Sequence, residues 1–366
     1  MQTIQHPSSL LKPEWVNIIR NHAATAEQLG YLTPEQIDLI HSQDWFKMLV
    51  PGVYGGKEMQ LPDVVKLEES LAWADGSVGW VITLCAGAGW FGGFLSEEFA
   101  KETYKEPAVC ICGSGAASGT AEILENGYLV NGKWLHASGA PHATIFTTNC
   151  IITKNKQAIK DAAGNDVVLS FAFLRDEVSI IPEWNAIGMV ATASYKFELR
   201  DVFVTVSRSF KIDATAVKVA TPLYTYPFLQ LAEATLAANL SGMAIHFLDL
   251  CEDLYSVKTK KDKTLLIDDP LVFAALLRAK EDLADARAKM YHALQHSWDC
   301  HGKDTLSAAE SLHAVSITSK VLAKTVRTVV DELYPYCGLR AADPRTEINR
   351  VWRDLHTASQ HALLLY

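Results

Sequence analysis

The hydrophobic repeat of this chain changes period twice, and the two changes limit what it can fold into. Up to about Pro107, apolar residues recur at three- and four-residue steps, the spacing of an amphipathic helix. "LPDVVKLEESLAWADGS" places Val64, Leu67, Leu71 and Ala74 on one face. From "AVCICGS" (108–114) the pattern becomes strand-like, through "YLVNGKWLHA", "DVVLSFAFL" (166–174) and "SYKFELRDVFV" (194–204). After Ile212 the helical period returns. Leu276, Leu283, Met290 and Leu294 share one face, and Val315, Leu322, Val326, Val329 and Leu333 share another. Sustained patterns of this kind suit an antiparallel bundle. The sequence therefore predicts an α+β chain of three domains: helical over 1–107, β over 108–212 and a helical bundle over 213–366.

Local signals sharpen this outline. Thr33 before Pro34 reads as an N-cap with proline at the first helical position of "PEQIDLIH". Pro51, Gly52, Gly55 and Gly56 mark a loop before the next helix. Asn131-Gly132 lies between two strand-like arms and predicts a tight hairpin turn. Ser77 to Ser96 is a run of twenty residues without a charge, long enough to cross a membrane. Its five glycines and the absence of flanking basic asymmetry favour a buried helix instead, one that another backbone or a flat ligand can approach closely.

Composition excludes some functions. A net charge of −9 disfavours nucleic acid as the main partner. Seven cysteines without framework spacing predict reduced thiols and a cytoplasmic setting. "MQTIQHPSSLLKPEW" has neither the basic start nor the apolar stretch of a secretory signal. His292 and His296 are one helical turn apart, and Glu310 and His313 form one Glu-x-x-His, but a metal site needs further ligands and none is evident. Cys110-x-Cys112 reads as two small strand residues. No phosphate-binding glycine loop, dinucleotide fingerprint or Gly-x-Ser-x-Gly is present.

Five segments, in order, resemble the acyl-CoA dehydrogenase superfamily from about residue 27 to 361: "VPGVYGGKEM", "LEESLAWADGSVGW", "GYLVNGKWLHASG", "WNAIGMVATASYKFELRDVFV" and "RVWRDLHTASQH". The resemblance implies a helical domain, a middle β-barrel or sandwich and a C-terminal four-helix bundle. It also implies flavin (FAD or FMN) between the β-domain and the bundle, and a homo-oligomer, usually a tetramer assembled through the bundle. The superfamily has a dehydrogenase branch and a monooxygenase branch that receives reduced flavin from a reductase. Arg350, Arg353 and Asp354 fit the dehydrogenases' Arg-x-x-Arg-Asp, but Ala362 falls where their catalytic glutamate stands. Glu233 is a candidate for a relocated base.

"CGSGAASGTAEILENGY", "KWLHASGAPHA" and "WRDLHTASQH" instead resemble the monooxygenases. By that match Ser138 hydrogen-bonds the reactive edge of the flavin, His361 is the acid/base and Trp134 sits against the ring system. Cys112, Gly113, Ser114, Gly139, Thr192, Ser194 and Arg353 complete the cofactor site. The simpler readings are a turn residue for Ser138 and a surface residue near the chain end for His361. Several monooxygenases carry another histidine in the glycine-rich N-terminal helix; here the segment is "CAGAGWFGG". The expected activity is flavin-dependent monooxygenation of an apolar or aromatic small molecule. Acyl-CoA dehydrogenation is the alternative, and a non-catalytic flavin- or ligand-binding protein the third reading.

Overall fold

The structure is a computed structural model and describes residues 4–303 and 305–365. Five helices come first: α1 (Pro13–Leu29), α2 (Pro34–Ser42), α3 (Leu61–Ala74), α4 (Gly76–Gly89) and α5 (Glu97–Tyr104). Eight strands follow: β1 (Ile111–Leu124), β2 (Gly127–Ala137), β3 (Ile145–Lys154), β4 (Gln157–Ala158), β5 (Val168–Leu174), β6 (Ser179–Ile181), β7 (Tyr195–Thr205) and β8 (Ser209–Phe210). The chain ends in α6 (Pro222–Thr225), α7 (Phe228–Val257), α8 (Pro270–Cys300), α9 (Thr305–Cys337), α10 (Leu339–Ala342) and α11 (Glu347–Ala358). The order is the one that the sequence resemblance implies: helices, a central sheet, then helices.

The caps explain several boundaries. Thr33 and Gln36 form a reciprocal capping box at the start of α2, which satisfies two otherwise free backbone donors. Asp75 ends α3 in an extended conformation and caps α4 through Val78 N. The charge-free stretch forms α4 and the turn after it, and it is buried almost throughout, in line with the sequence reading. Among the described residues, one helix is long and apolar enough to cross a membrane; it is α7, and 83% of its apolar window is buried in the fold.

The sheet runs in the order β6-β7-β2-β1-β3-β5-β8, with β4 paired to β3. β1 and β2 are antiparallel neighbours, while β1 and β3 are parallel. The hairpin turn is not at Asn131-Gly132, where the sequence predicts it. Leu124 pairs with Gly127, so the turn is Glu125-Asn126, and Asn131-Gly132 lies inside β2. The register of β2 against β7 shifts between Val130 and Gly132, the mark of a bulge. Two observations account for it. The Asn131 amide bonds Asp201 across the sheet, donating to its carboxylate at 3.0 Å and accepting from its N–H at 2.8 Å. Gly132 and Gly119 leave the space that the Trp134 ring fills, since a Cβ on either would lie about 2.5 Å or less from it.

α3, α4, α7 and α11 pack together, and α8 and α9 complete the C-terminal helical layer around α7. The faces predicted from periodicity are those that are buried: Leu276, Leu283, Met290 and Leu294 on α8, and Val315, Leu322, Val326, Val329 and Leu333 on α9.

Candidate active site

A cleft with about 980 Å³ of empty space, partly open to solvent, lies between the sheet and the helices. One wall comes from strand residues: Gly113, Ser114 and Gly115 of β1, Thr147, Thr148 and Asn149 of β3, and Ser170 of β5. The opposite wall comes from α4, the turn after it and α7, and is mainly apolar, with Leu84, Phe91, Phe228, Leu231 and Leu236. Ser138 and His361 border the same cleft although 223 positions apart in sequence. Among the described residues, no Asp, Glu, Lys or Arg lines the cleft, and His361 is the one titratable side chain that does.

The strand wall is held by hydrogen bonds. Ser170 Oγ donates to Asn149 Oδ1 at 2.7 Å, and Asn149 Nδ2 donates to Gly115 O at 2.8 Å. Gly113 is required by a close approach: a Cβ there would lie 2.1 Å from the Thr147 carbonyl oxygen. At Gly115, and at Gly87 on the helix wall, a Cβ would meet nothing within 4 Å. The glycines at these two lining positions leave the cleft open.

Ser138 lies just after β2 and is buried (5% exposed). Gly139 turns the chain there with φ +77°, and its N–H donates to Thr192 O at 2.8 Å. The turn therefore ties Ser138 to the segment before β7. The Ser138 hydroxyl is 2.8 Å from that of Ser194, which is 2.7 Å from that of Thr192. Thr192 donates to Met189 O at 2.7 Å.

His361 caps the turn that follows α11; its Nδ1 accepts from Leu363 N at 3.4 Å. That bond leaves the proton of the neutral ring on Nε2. Trp80 meets the ring edge-on at 6.0 Å. Burial holds the imidazole below its ordinary pKa, with a smaller effect from His136. The two histidines near Ser138 stand elsewhere. His136 lies edge-on to Trp184. Burial pushes His142 down to about 4, next to Tyr31.

The other candidate residues divide. Gly113 and Ser114 line the cleft; Thr192 and Ser194 sit behind Ser138. Trp134 does not line it. Its indole is fully buried inside the β region, stacked on Phe197 at 5.3 Å and donating to Asn149 O. Cys112 is buried and is not among the lining residues; burial raises its thiol pKa, with Cys85 adding to the effect. Gly139 contributes the turn rather than a lining surface. Arg353 is spent on structure: it bonds Glu27, Asn349 and the Ile187 carbonyl, joining α11 to α1 and to the loop before β7. Glu233, the candidate relocated base, faces α9, where it accepts from Ser316 and lies 3.7 Å from Lys320.

Sequence reasoning missed the polar group behind the helix wall. Thr83 lines the cleft and accepts from Asn239 Nδ2 at 2.6 Å. Glu68, buried and without a full hydrogen bond, has its carboxyl pushed up to about 8 by burial, an effect the Thr83 hydroxyl partly offsets. A buried glutamate four residues from Ala72 on an otherwise apolar face was the available signal.

Residues 234–365 match the family model described as acyl-CoA dehydrogenase, C-terminal domain. Over 359 residues the chain is 26% identical to the flavin-dependent monooxygenase oxygenase subunit HsaA of Mycobacterium tuberculosis, covering 94% of this chain and 88% of that one. Identity to the indole-3-acetate monooxygenase of Acinetobacter baumannii is 24%, again over 94% of this chain and 88% of the relative. The solved structure of XiaF from a Streptomyces species, in complex with FADH2 and glycerol, has the same fold: TM-score 0.83, 19% identity, covering 96% of this chain and 90% of XiaF.

Proposed function

We propose that the chain, similar to the monooxygenases of the acyl-CoA dehydrogenase superfamily, is a flavin-dependent oxidoreductase of that kind, the oxygenase of a two-component system hydroxylating an uncharged, apolar aromatic molecule. The observation that carries this reading is the composition of the cleft: among the described residues, one histidine and a buried serine, with no carboxylate side chain. Dehydrogenation of an acyl-CoA thioester needs a base for the α-proton. Glu233 faces α9 instead. The absence of any lining cation also leaves a substrate carboxylate without a partner, at a cost that buried charge does not tolerate.

The strand wall fits a flat, hydrogen-bonding ring system. Small side chains and backbone at Gly113–Gly115 permit close approach, and Ser138, with Ser194 and Thr192 behind it, offers a buried polar edge. Reduced flavin supplies two electrons that, with O2 and two protons, put one oxygen into the substrate and release the other as water. The side chains do the rest. Leu84, Phe91, Phe228 and Leu231 exclude water from the reacting atoms. His361 in its neutral form holds a proton on Nε2 that it can share with a substrate oxygen.

We place the protein in the cytoplasm with a separate flavin reductase. We further infer a homo-oligomer assembled through the helical layer, where Phe273, Leu277, Ile317 and Val321 are exposed apolar side chains on α8 and α9. Light scattering of the purified protein tests the assembly.

The activity is tested with NADH, a flavin reductase, 18O2 and a panel of neutral aromatics such as indole and 2-naphthol. Products carrying one 18O support the reading. Oxygen consumed only to hydrogen peroxide across the panel, or flavin bleached by an acyl-CoA, overturns it.

A further inference from the structure

We propose that Thr192 and Ser194 are positioning residues that fix the hydrogen-bond sense of Ser138, so that its hydroxyl meets the cleft as an acceptor and favours reduced over oxidised flavin. The proposal rests on the flavin-dependent reading above.

The available protons fix the sense of the chain. Each hydroxyl has one to donate, and a carbonyl can only accept. The Thr192 proton goes to Met189 O, 2.7 Å away. The Thr192–Ser194 contact, at 2.7 Å, must then draw its proton from Ser194. The Ser194–Ser138 contact, at 2.8 Å, must draw its proton from Ser138. The opposite sense would leave two oxygens within 2.8 Å with no proton between them. The three hydroxyls are 5% exposed or less, which limits water's access to them. Ser138 is the member of the chain that lines the cleft, and it has only lone pairs left to offer.

The far end of the chain is anchored. Met189 has a left-handed backbone (φ 55°), its N–H donates to the buried Asp354 carboxyl, and its carbonyl also accepts from Trp184 Nε1 at 2.8 Å. Reversing the chain would strip the Thr192 proton from that carbonyl, leaving a short oxygen–oxygen contact.

The chemistry of the ligand supplies the consequence. The central-ring edge of a reduced flavin carries an N–H, whereas the oxidised ring has a bare, accepting nitrogen there. An acceptor at Ser138 matches the first and opposes the second. One neutral hydrogen bond at a buried position corresponds to a preference of about tenfold.

The test is anaerobic measurement of dissociation constants for reduced and oxidised FMN and FAD, with the midpoint potential of the bound flavin as a second readout. Thr192→Val, outside the cleft, frees the chain to reverse. It should cut the reduced-over-oxidised preference about tenfold and shift the two-electron potential by about 30 mV. Ser194→Ala breaks the chain one link nearer and should do the same, while Thr192→Ser restores the preference. If both redox forms bind and the ratio is the same in wild type, Thr192→Val and Ser194→Ala, the proposal is overturned and the flavin reading stands. If neither form binds the wild type, both fall.

Discussion

The two walls of the cleft differ in how they are built. On the strand side, polar side chains and backbone are locked to one another: Ser170 to Asn149, Asn149 to Gly115, Ser138 to Ser194 and Thr192. On the helix side, Leu84, Phe91, Phe228, Leu231 and Leu236 offer surface and almost no direction; Thr235 spends its hydroxyl on its own helix, bonding Leu231 O and Ala232 O. A wall of fixed donors and acceptors recognises one invariant group. A wall of apolar side chains admits a class of molecules by size and charge. On the proposed function the flavin lies against the strands and the substrate against the helices, and each placement can be broken separately.

The largest effect is expected from the strand wall. Gly113→Val forces a side chain into the Thr147 carbonyl and separates β1 from β3. We expect a loss of stability of about 3 kcal/mol or more and loss of reduced-flavin binding, read by chemical denaturation and ultrafiltration. Gly87→Leu makes the opposite cut. Its Cβ meets nothing, so the fold should hold while the new side chain fills the substrate half. Substrate affinity should fall by more than about tenfold with reduced-flavin affinity retained. Equal losses of both ligands would show that the walls do not divide the work.

His361 borders the cleft from the turn after α11, and its removal should come next in size. His361→Ala should lower hydroxylation about 100-fold, with oxygen consumption continuing as peroxide release. The pH profile follows from the depressed pKa. The group is neutral in the fold above its ordinary value of 6.5 and takes up a proton only at lower pH. Turnover should therefore be flat above about 6.5 and fall as pH drops through the folded-state pKa. The linked stability has the same sign: it is present above 6.5 and lost as acid protonates the unfolded chain first. A profile that instead rises as pH drops below 6.5 would remove His361 from the acid/base role.

What could be read from the sequence was what repeats or lies close along the chain. The helical faces of α8 and α9, the Thr33 cap and the buried character of α4 depend on neighbours a few residues away, and each is present. Ser138 and His361 were legible through the family resemblance, and the structure brings them to one cleft. The misreadings share a cause. Asn131-Gly132 has turn chemistry, but its fate is set by Asp201, seventy residues on, and by the Trp134 ring. Trp134 and Arg353 sit in family-like segments, yet strand alternation turns one inward and Glu27 claims the other. Thr83, Asn239 and Glu68 formed no visible motif, because 156 residues separate the bonded pair. Contacts of that range leave no period in the sequence.

The smallest expected effect sharpens the helix wall. Thr83 is its one polar side chain with a hydroxyl proton not committed to its own helix: Asn239 Nδ2 donates to it, so the proton remains to be given. The neighbouring Glu68 carboxyl, raised to about 8 by burial, is within the influence of that hydroxyl, which partly offsets the rise. A substrate oxygen entering the apolar half competes with that carboxyl for the Thr83 proton. Thr83→Val keeps the shape and removes the hydroxyl. We expect the preference for 1-tetralone over tetralin, two neutral ligands of similar outline that differ in one carbonyl, to shrink by up to about tenfold, with tetralin binding little altered. Equilibrium dialysis without flavin measures both. An unchanged ratio would mean that the helix wall selects by shape and charge alone, and the contrast between the walls would then be complete rather than softened at one residue.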